Sequence, residues 1–386
     1  MVDPVYLDYA ATTPVDPRVL NAMLPYFNEM FGNPSSVHRY GQQAEAAVES
    51  ARETVAVVLN CRPDELVFTS CGSESDNLAI RGTTLAMREK TGANWILTNR
   101  AEHHAVSKTA EQLENNYGFQ VEWLETDETG MVSPETVKKA ICKDTAIVSI
   151  MYANNEIGTI NPLAEIAAIC LDHNVPFHTD AVQAAAYLPV DVQSLGVDLM
   201  SLGAHKFYGP KGVGVLYVRK KTPIFPLQTG GGQEFGLRAG TQNVPYIVGF
   251  AEALRLTAKE REQRIAHVLP LRNHIMGTVL EKIPDSRLTG HPIARLPNHS
   301  SFAFKGMDGN LLLTLLDSAD FACSSGSACK TGNPEPSEVM TAIGLSPEWG
   351  LGSLRVTLGT GTTPEHVDTF LKALPDLVKK ARELNY

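Results

Sequence analysis

Lys206 ends a run, 197–202, whose apolar residues read as a buried strand. Lysine is rarely buried without a partner. Desolvation there lowers the amine pKa and makes it a nucleophile, and an aldehyde cofactor held as a Schiff base would account for it. The same stretch, Gly203-Ala204-His205-Lys206-Phe207-Tyr208-Gly209-Pro210, also reads as a surface lysine in a glycine-rich turn. Taken alone, that plainer reading is the commoner one. Asp180 is the second such residue. It closes the strand Val175-Pro176-Phe177-His178 with no Lys or Arg nearby in sequence. A buried carboxylate needs a cationic partner, and a protonated pyridine nitrogen is one. Third, Cys71-Gly72-Ser73-Glu74-Ser75 follows a strand and opens a helix, where backbone N–H groups converge on an anion. A plain cap at Ser73 with Asp76 three residues on, an imperfect capping box, is compatible with that.

Cys329 stands in Ser324-Ser325-Gly326-Ser327-Ala328-Cys329-Lys330-Thr331-Gly332-Asn333-Pro334. That composition disfavours regular structure and predicts a mobile loop. An exposed thiol there packs poorly but attacks well, and Lys330 lowers its pKa. Cys323 and the other four cysteines (Cys61, Cys71, Cys142, Cys170) read as packing residues. Their scattered spacing, without a C-x-x-C pair, fits a reducing cytoplasm.

The elements that must position these residues alternate. Strands are predicted at 65–70, 94–98, 119–124, 146–151, 175–178 and 197–202, with helices at 106–113, 134–141 and 162–172 among them. Such β-α units predict a mostly parallel sheet covered on both faces. Its ligands sit beyond the carboxyl ends of the strands. Ser73, His103, Asn155, Asp180 and Lys206 all fall there. Ahead of the sheet, Asp16-Pro17 starts a helix and 42–59 is amphipathic. Helices at 244–260 and 262–282 follow, then strands at 300–304 and 353–358 with helices at 310–316, 336–343 and 364–381. We expect a large domain over 16–255. A smaller α+β domain joins 1–15 to 256–386 and carries the cysteine loop, about 324–335. With 386 residues and a net charge of -10, two domains are expected and nucleic acid is not the main partner. No run predicts a membrane span, and no signal peptide is evident.

The order of these motifs resembles the cysteine desulfurases of the nitrogen-fixation and iron–sulfur-assembly type. These are pyridoxal-phosphate enzymes of fold type I, the aspartate-aminotransferase fold. The resemblance runs through Leu7-Asp8-Tyr9-Ala10-Ala11-Thr12-Thr13-Pro14, Gly32-Asn33-Pro34-Ser35-Ser36-Val37-His38, Glu74-Ser75-Asp76-Asn77, Glu102-His103-His104, Asn154-Asn155-Glu156-Ile157-Gly158, the Asp180 and Lys206 segments, the Cys329 segment and Leu354-Arg355-Val356-Thr357. It implies that Lys206 holds pyridoxal 5'-phosphate and moves protons on the substrate carbon. It also implies that Asp180 keeps the pyridine nitrogen protonated and that His103 stacks on the ring and serves in acid–base steps. Asn155 and Gln183 would bond the phenolic oxygen; Gly72, Ser73 and His205 would hold the phosphate. Thr241 would reach a phosphate across a homodimer interface. Arg355, helped by Asn33, would clamp the carboxylate of L-cysteine. Cys329 would take the sulfur as a persulfide, leaving L-alanine, and pass it to an iron–sulfur scaffold or another sulfur acceptor. No metal is implied, and the His103-His104 pair is not read as one. A selenocysteine lyase, an aminotransferase of the same fold and a non-catalytic scaffold are the competing readings. The chain departs from the pattern at Gly203, where many members carry Ser, and at Phe235, Ala239 and Gln242.

Overall fold

The computed structural model describes residues 4–326 and 335–384; Cys329 lies outside them. The strands in chain order are β1 (Val5–Tyr6), β2 (Leu66–Thr69), β3 (Trp95–Asn99), β4 (Gln120–Leu124), β5 (Thr145–Ser149), β6 (Phe177–Asp180), β7 (Leu199–Gly203), β8 (Gly214–Val218), β9 (Ser286–Leu288), β10 (His299–Phe304), β11 (Phe321–Ala322) and β12 (Ser353–Thr357). Seven of them form the main sheet, in the order β2-β8-β7-β6-β5-β3-β4. All neighbours from β7 to β4 are parallel, and β8 runs against both β2 and β7. Helices cover the sheet, so β5 and β7 are buried at every position, as a parallel sheet between two helical layers requires. This is the fold-type-I architecture expected from the sequence.

A smaller antiparallel sheet, β12-β10-β9, lies beyond it. β1 pairs in parallel with β11, Val5 opposite Phe321, and the Leu7 carbonyl accepts the Thr357 N–H (2.8 Å). The chain's start is thereby bound to its last third.

Two expectations change. The helices predicted at 244–260 and 262–282 are one helix, Val244–Lys282, so the boundary expected at 255 falls inside a continuous element. The polar run around residue 260 reads as a break, but its charges are used for packing. Glu260 pairs with Arg18 (2.5 Å) and Arg264 (3.0 Å), and the buried Arg264 lies 4.7 Å over the Tyr208 ring. The cap expected at Ser73 is also displaced. The helix is Gly72–Asn77, its N-cap is Cys71, and no side chain caps it.

Candidate active site

The carboxyl ends of β2, β3, β5, β6 and β7 open into one cleft. Gly72, Ser73, His103, Asn155, Asp180, Gln183, His205, Lys206 and Arg355 all line it, around a cavity of about 220 Å³. Those from the main sheet arrive by one rule, at or just after the end of a buried strand, whereas Arg355 comes from within β12 of the smaller sheet. Lys206 closes the short turn Ala204–Lys206 after β7. Its Nζ donates to the carbonyls of Ala10 (2.5 Å) and Ala11 (2.8 Å), and Gln183 Nε2 donates to the Ala10 carbonyl as well (2.7 Å). The N-terminal segment is therefore one wall of the site.

Burial, reinforced by the Arg355 charge, brings the Lys206 amine down to about 8. Asp180 is fixed by the Val182 N–H to its Oδ1 (2.9 Å), and burial raises its pKa against the pull of His103 and Lys206. Asp76 is more extreme. It is buried, its Oδ1 has no hydrogen-bond partner among the described residues and lies 3.6 Å from His178 Nε2, and burial beside Asp180 holds its carboxyl well above the usual range. Two neighbouring buried carboxyls do not both ionise without a cation. Burial and the neighbouring Asp180 thus favour the protonated form of Asp76, and both carboxyls line the cavity. Ligand atoms of Asp76, His103 and Asp180 lie within 4.8 Å of one another. Beneath them His178 is held between Ser149 (2.8 Å) and Ser201 (3.0 Å); burial drives it down to about 3, so it is neutral and supplies no charge.

His103 is the N-cap of the helix His104–Tyr117, its Nδ1 accepting the Ala105 N–H (3.1 Å). That bond places the proton of the neutral ring on Nε2. Burial lowers its pKa, with Lys206 and His104 adding to the effect and Asp180 opposing it. Arg355, in the buried strand β12, gives Nη2 to Asp8 Oδ1 (2.9 Å) and Nη1 to the Asn155 carbonyl (2.9 Å). Its Nε is buried and unpartnered among the described residues.

The aminotransferase class-V family model matches residues 5–370. A cysteine desulfurase IscS of Dictyoglomus turgidum is 45% identical over 381 residues, covering 99% of this chain and 96% of that one. The chain belongs to the class-V aminotransferase family, in the branch of the cysteine desulfurases. Among solved structures, a NifS-like protein superposes with a TM-score of 0.90 at 38% identity, covering 98% of this chain and 100% of that one. SspA in complex with cysteine matches at 0.80 and 34% identity, covering 93% and 99%.

Asn33, expected to help Arg355, is not on this cleft, and neither is Thr241, expected to reach across a dimer interface. Both are exposed; Thr241 lines a separate hollow with Arg238 and Gln242, and Asn33 Oδ1 caps the Ser35 N–H (3.0 Å). The departures have physical content. A Cβ at Gly203 would sit 3.5 Å from the Gly72 nitrogen and from Val182 Cγ1, ordinary contact, so a serine would fit and its hydroxyl is simply missing. Phe235 lies against the Arg52 guanidinium at 5.1 Å. Sequence reasoning missed Asp8 and Asp76 as members of the site. The signal for Asp76 was present: an acid on the buried face of a helix that starts at a strand end.

Proposed function

We propose that this chain desulfurates L-cysteine with pyridoxal 5'-phosphate, releasing L-alanine and keeping the sulfur as a persulfide on Cys329. The observation that carries this reading is that Lys206, Asp180 and Arg355 share one cleft, in a chain whose relatives bear the name cysteine desulfurase. The substrate C–S bond breaks, an S–S bond to Cys329 forms, and the former sulfur-bearing carbon gains the proton that alanine needs. Atoms balance without an outside oxidant or reductant.

The residues fit the cofactor. Asp180, with Asp76 behind it, puts a buried carboxyl on the cavity lining, which suits a pyridinium. The uncapped N–H groups at Gly72 and Ser73 suit a phosphate. His205, brought down to about 4 by burial and the neighbouring Lys206 and Lys211 charges, is neutral and can donate beside that phosphate. When bound, the cofactor supplies an aldehyde for amines and a ring that draws electron density from the substrate carbon. Lys206, partly unprotonated at neutral pH, is the amine that holds it and then carries protons at the substrate carbon. Asp180 holds the proton at the ring nitrogen. Asn155 and Gln183 orient the ring oxygen, and Arg355 takes the substrate carboxylate as a fork.

Two wider readings belong with this one. Leu24, Phe27, Phe31 and Val37 expose apolar side chains near the chain's start, and Thr241 faces away from its own cleft; both support a homodimer in which Thr241 completes the partner's site. The five described cysteines are free, which suits a reducing cytoplasm and an acceptor thiol such as that of an iron–sulfur scaffold. Among the described residues no helix is long and apolar enough to cross a membrane.

The test is to assay alanine and sulfide from cysteine with the purified protein and with Cys329→Ala. Wild type should give both products in equal amounts with a thiol reductant present, and the variant should give neither above background. Full activity in Cys329→Ala would overturn the sulfur-acceptor role. Alanine formation only with an added keto acid would point to an aminotransferase.

A further inference from the structure

Asn155 lines the cleft, and its backbone carbonyl receives two donors at once. Arg355 Nη1 donates to it at 2.9 Å and His299 Nε2 at 3.2 Å. A carbonyl oxygen has two lone pairs, so both are used. The two donors come from neighbouring strands. β10 opens with His299 and pairs antiparallel with β12, Ser301 opposite Arg355. Residues two apart share a face of a strand, and a long side chain reaches its diagonal neighbour across the pair. His299 and Arg355 therefore meet on the face that packs against the turn 154–158. That turn is tied to the approach to β10: Ile160 N–H donates to the Ala294 carbonyl and Leu296 N–H to the Gly158 carbonyl, both at 2.9 Å. Gly158 has a φ of 77°, and a Cβ on it would stand 2.8 Å from His299 Cγ, so the ring lies directly on the glycine backbone. His299 is fully buried. With Nε2 donating, Nδ1 of the neutral ring is an acceptor, and it has no hydrogen-bond partner among the described residues. A buried polar atom left unpaired costs stability, so an imidazole here calls for an explanation beyond packing.

We propose that His299 is a positioning residue for substrate: its Nε2–H steadies the Asn155 carbonyl that also receives Arg355, and so sets the plane in which Arg355 meets the carboxylate of cysteine. This rests on Arg355 being the carboxylate contact. Asp8 fixes one end of the guanidinium (2.9 Å), and the Asn155 carbonyl fixes the other. Without the imidazole N–H that carbonyl is held by Arg355 alone, and the guanidinium follows any movement of the turn. The ring also has to be a donor without charge, because a second cation beside Arg355 would repel it. Its surroundings keep it so. Burial is reinforced by Arg295 from the approach to β10, Arg355 from β12 and Arg272 from the helix Val244–Lys282, and together they hold the ring well below the usual histidine range against the pull of the Asn155 carbonyl.

The test uses the full-length, cofactor-loaded enzyme. The kcat and KM for cysteine are measured in wild type, His299→Phe, His299→Gln, Arg355→Ala and the double variant His299→Phe with Arg355→Ala. Near-visible absorbance reports cofactor occupancy, and titration with L-alanine in the same band reports binding without turnover. His299→Phe keeps a ring and removes the donor; His299→Gln keeps an N–H within reach. We expect the Phe variant to raise KM and the L-alanine dissociation constant by about three- to tenfold, the worth of one neutral hydrogen bond, with cofactor occupancy held. The Gln variant should stay within about twofold of wild type. With Arg355→Ala already present, the Phe substitution should add nothing, since residues that act through one contact are not additive. A purely structural role would lower the urea midpoint without this pattern. Unchanged KM and L-alanine affinity in His299→Phe, or a fully additive effect in the double variant, overturns the proposal. Should His299→Phe not fold, NMR of isotope-labelled histidines in wild type decides, with His299→Gln supplying the assignment. His299 should be the neutral Nε2–H tautomer from about pH 6 to about pH 8; protonation in that range, or an Nδ1–H tautomer, overturns the proposal. Unchanged KM in Arg355→Ala overturns the carboxylate contact instead, so the two failures are distinguishable.

Discussion

Asp8 and Arg355, 347 residues apart in sequence, are joined at 2.9 Å on the wall of the cleft. The same Asp8 carboxylate accepts the Ser324 hydroxyl at 2.7 Å, and Ser324 exchanges backbone bonds with Arg355. The guanidinium is thus held in a fixed plane by the chain's first segment. A charge-assisted contact to a carboxylate contributes about 2–3 kcal/mol. Arg355→Ala should therefore raise the KM for cysteine by roughly 30- to 150-fold while leaving the cofactor absorbance intact. Asp8→Asn keeps an acceptor for Ser324 but loses the charge, and should raise KM by a smaller factor, roughly three- to tenfold. Steady-state kinetics with both variants decide it. A drop in kcat alone, with KM unchanged, would remove Arg355 from the substrate contact.

Lys206 gives a pH prediction with a definite sign. Its pKa is lowered to about 8, and the unprotonated amine is the form that adds to an aldehyde. Below that value the reactive fraction rises tenfold per pH unit; above it the fraction saturates. Reloading of cofactor-stripped protein, followed in the near-visible, should accelerate up to about pH 8 and then level. An exposed lysine would keep accelerating to about pH 10. Lys206→Ala should show no hydroxylamine-sensitive near-visible band at any pH.

Much of the site was legible because it is made at strand ends, and the parallel strands here are near-continuous apolar runs. Lys206 and Asp180 stand out as charges that stop such runs. β8 was not legible as part of the sheet: 214–218 returns antiparallel beside β7 after a Gly-Pro turn and inserts between β2 and β7, a pairing no local pattern specifies. Asp8 could not be found either, since its partner Arg355 is at the other end of the chain and only the fold brings them together. The long helix was misread because charge at Glu260 and Arg264 looks the same in sequence whether it meets solvent or, as here, Arg18 and Tyr208.

His103 allows capping and catalysis to be separated. To take up a proton at Nδ1 the ring must release the Ala105 N–H, and an N-cap contributes about 1 kcal/mol, small beside the roughly 10²–10⁴-fold that a positioned acid–base group supplies. His103→Asn restores a good cap without a titrating ring. It should lower kcat by about two to four orders of magnitude and leave the urea midpoint nearly unchanged. His103→Ala should lose both. Equal kcat in the Asn variant and wild type would leave His103 a capping residue only.

The last prediction concerns Arg52 and Glu234, which are paired through two bonds of 3.0 Å each with both side chains almost fully buried. Glu234 also accepts the Phe68 N–H (2.9 Å) and Gln242 Nε2 (2.5 Å), while Arg52 lies between the Phe68 and Phe235 rings and donates to the Leu66 carbonyl (2.7 Å). The pair thus ties the helix Arg39–Leu59 and β2 to the segment that carries Thr241. Removing one partner strands a buried charge and should cost about 3–5 kcal/mol in urea unfolding. Arg52→Met with Glu234→Leu, which strands none, should recover most of that. If Thr241 completes a neighbouring site, Glu234→Ala should also release cofactor at urea concentrations below the unfolding midpoint, because the segment that loses its anchor is the one that reaches across. Loss of cofactor only together with global unfolding would separate this segment from the neighbouring site.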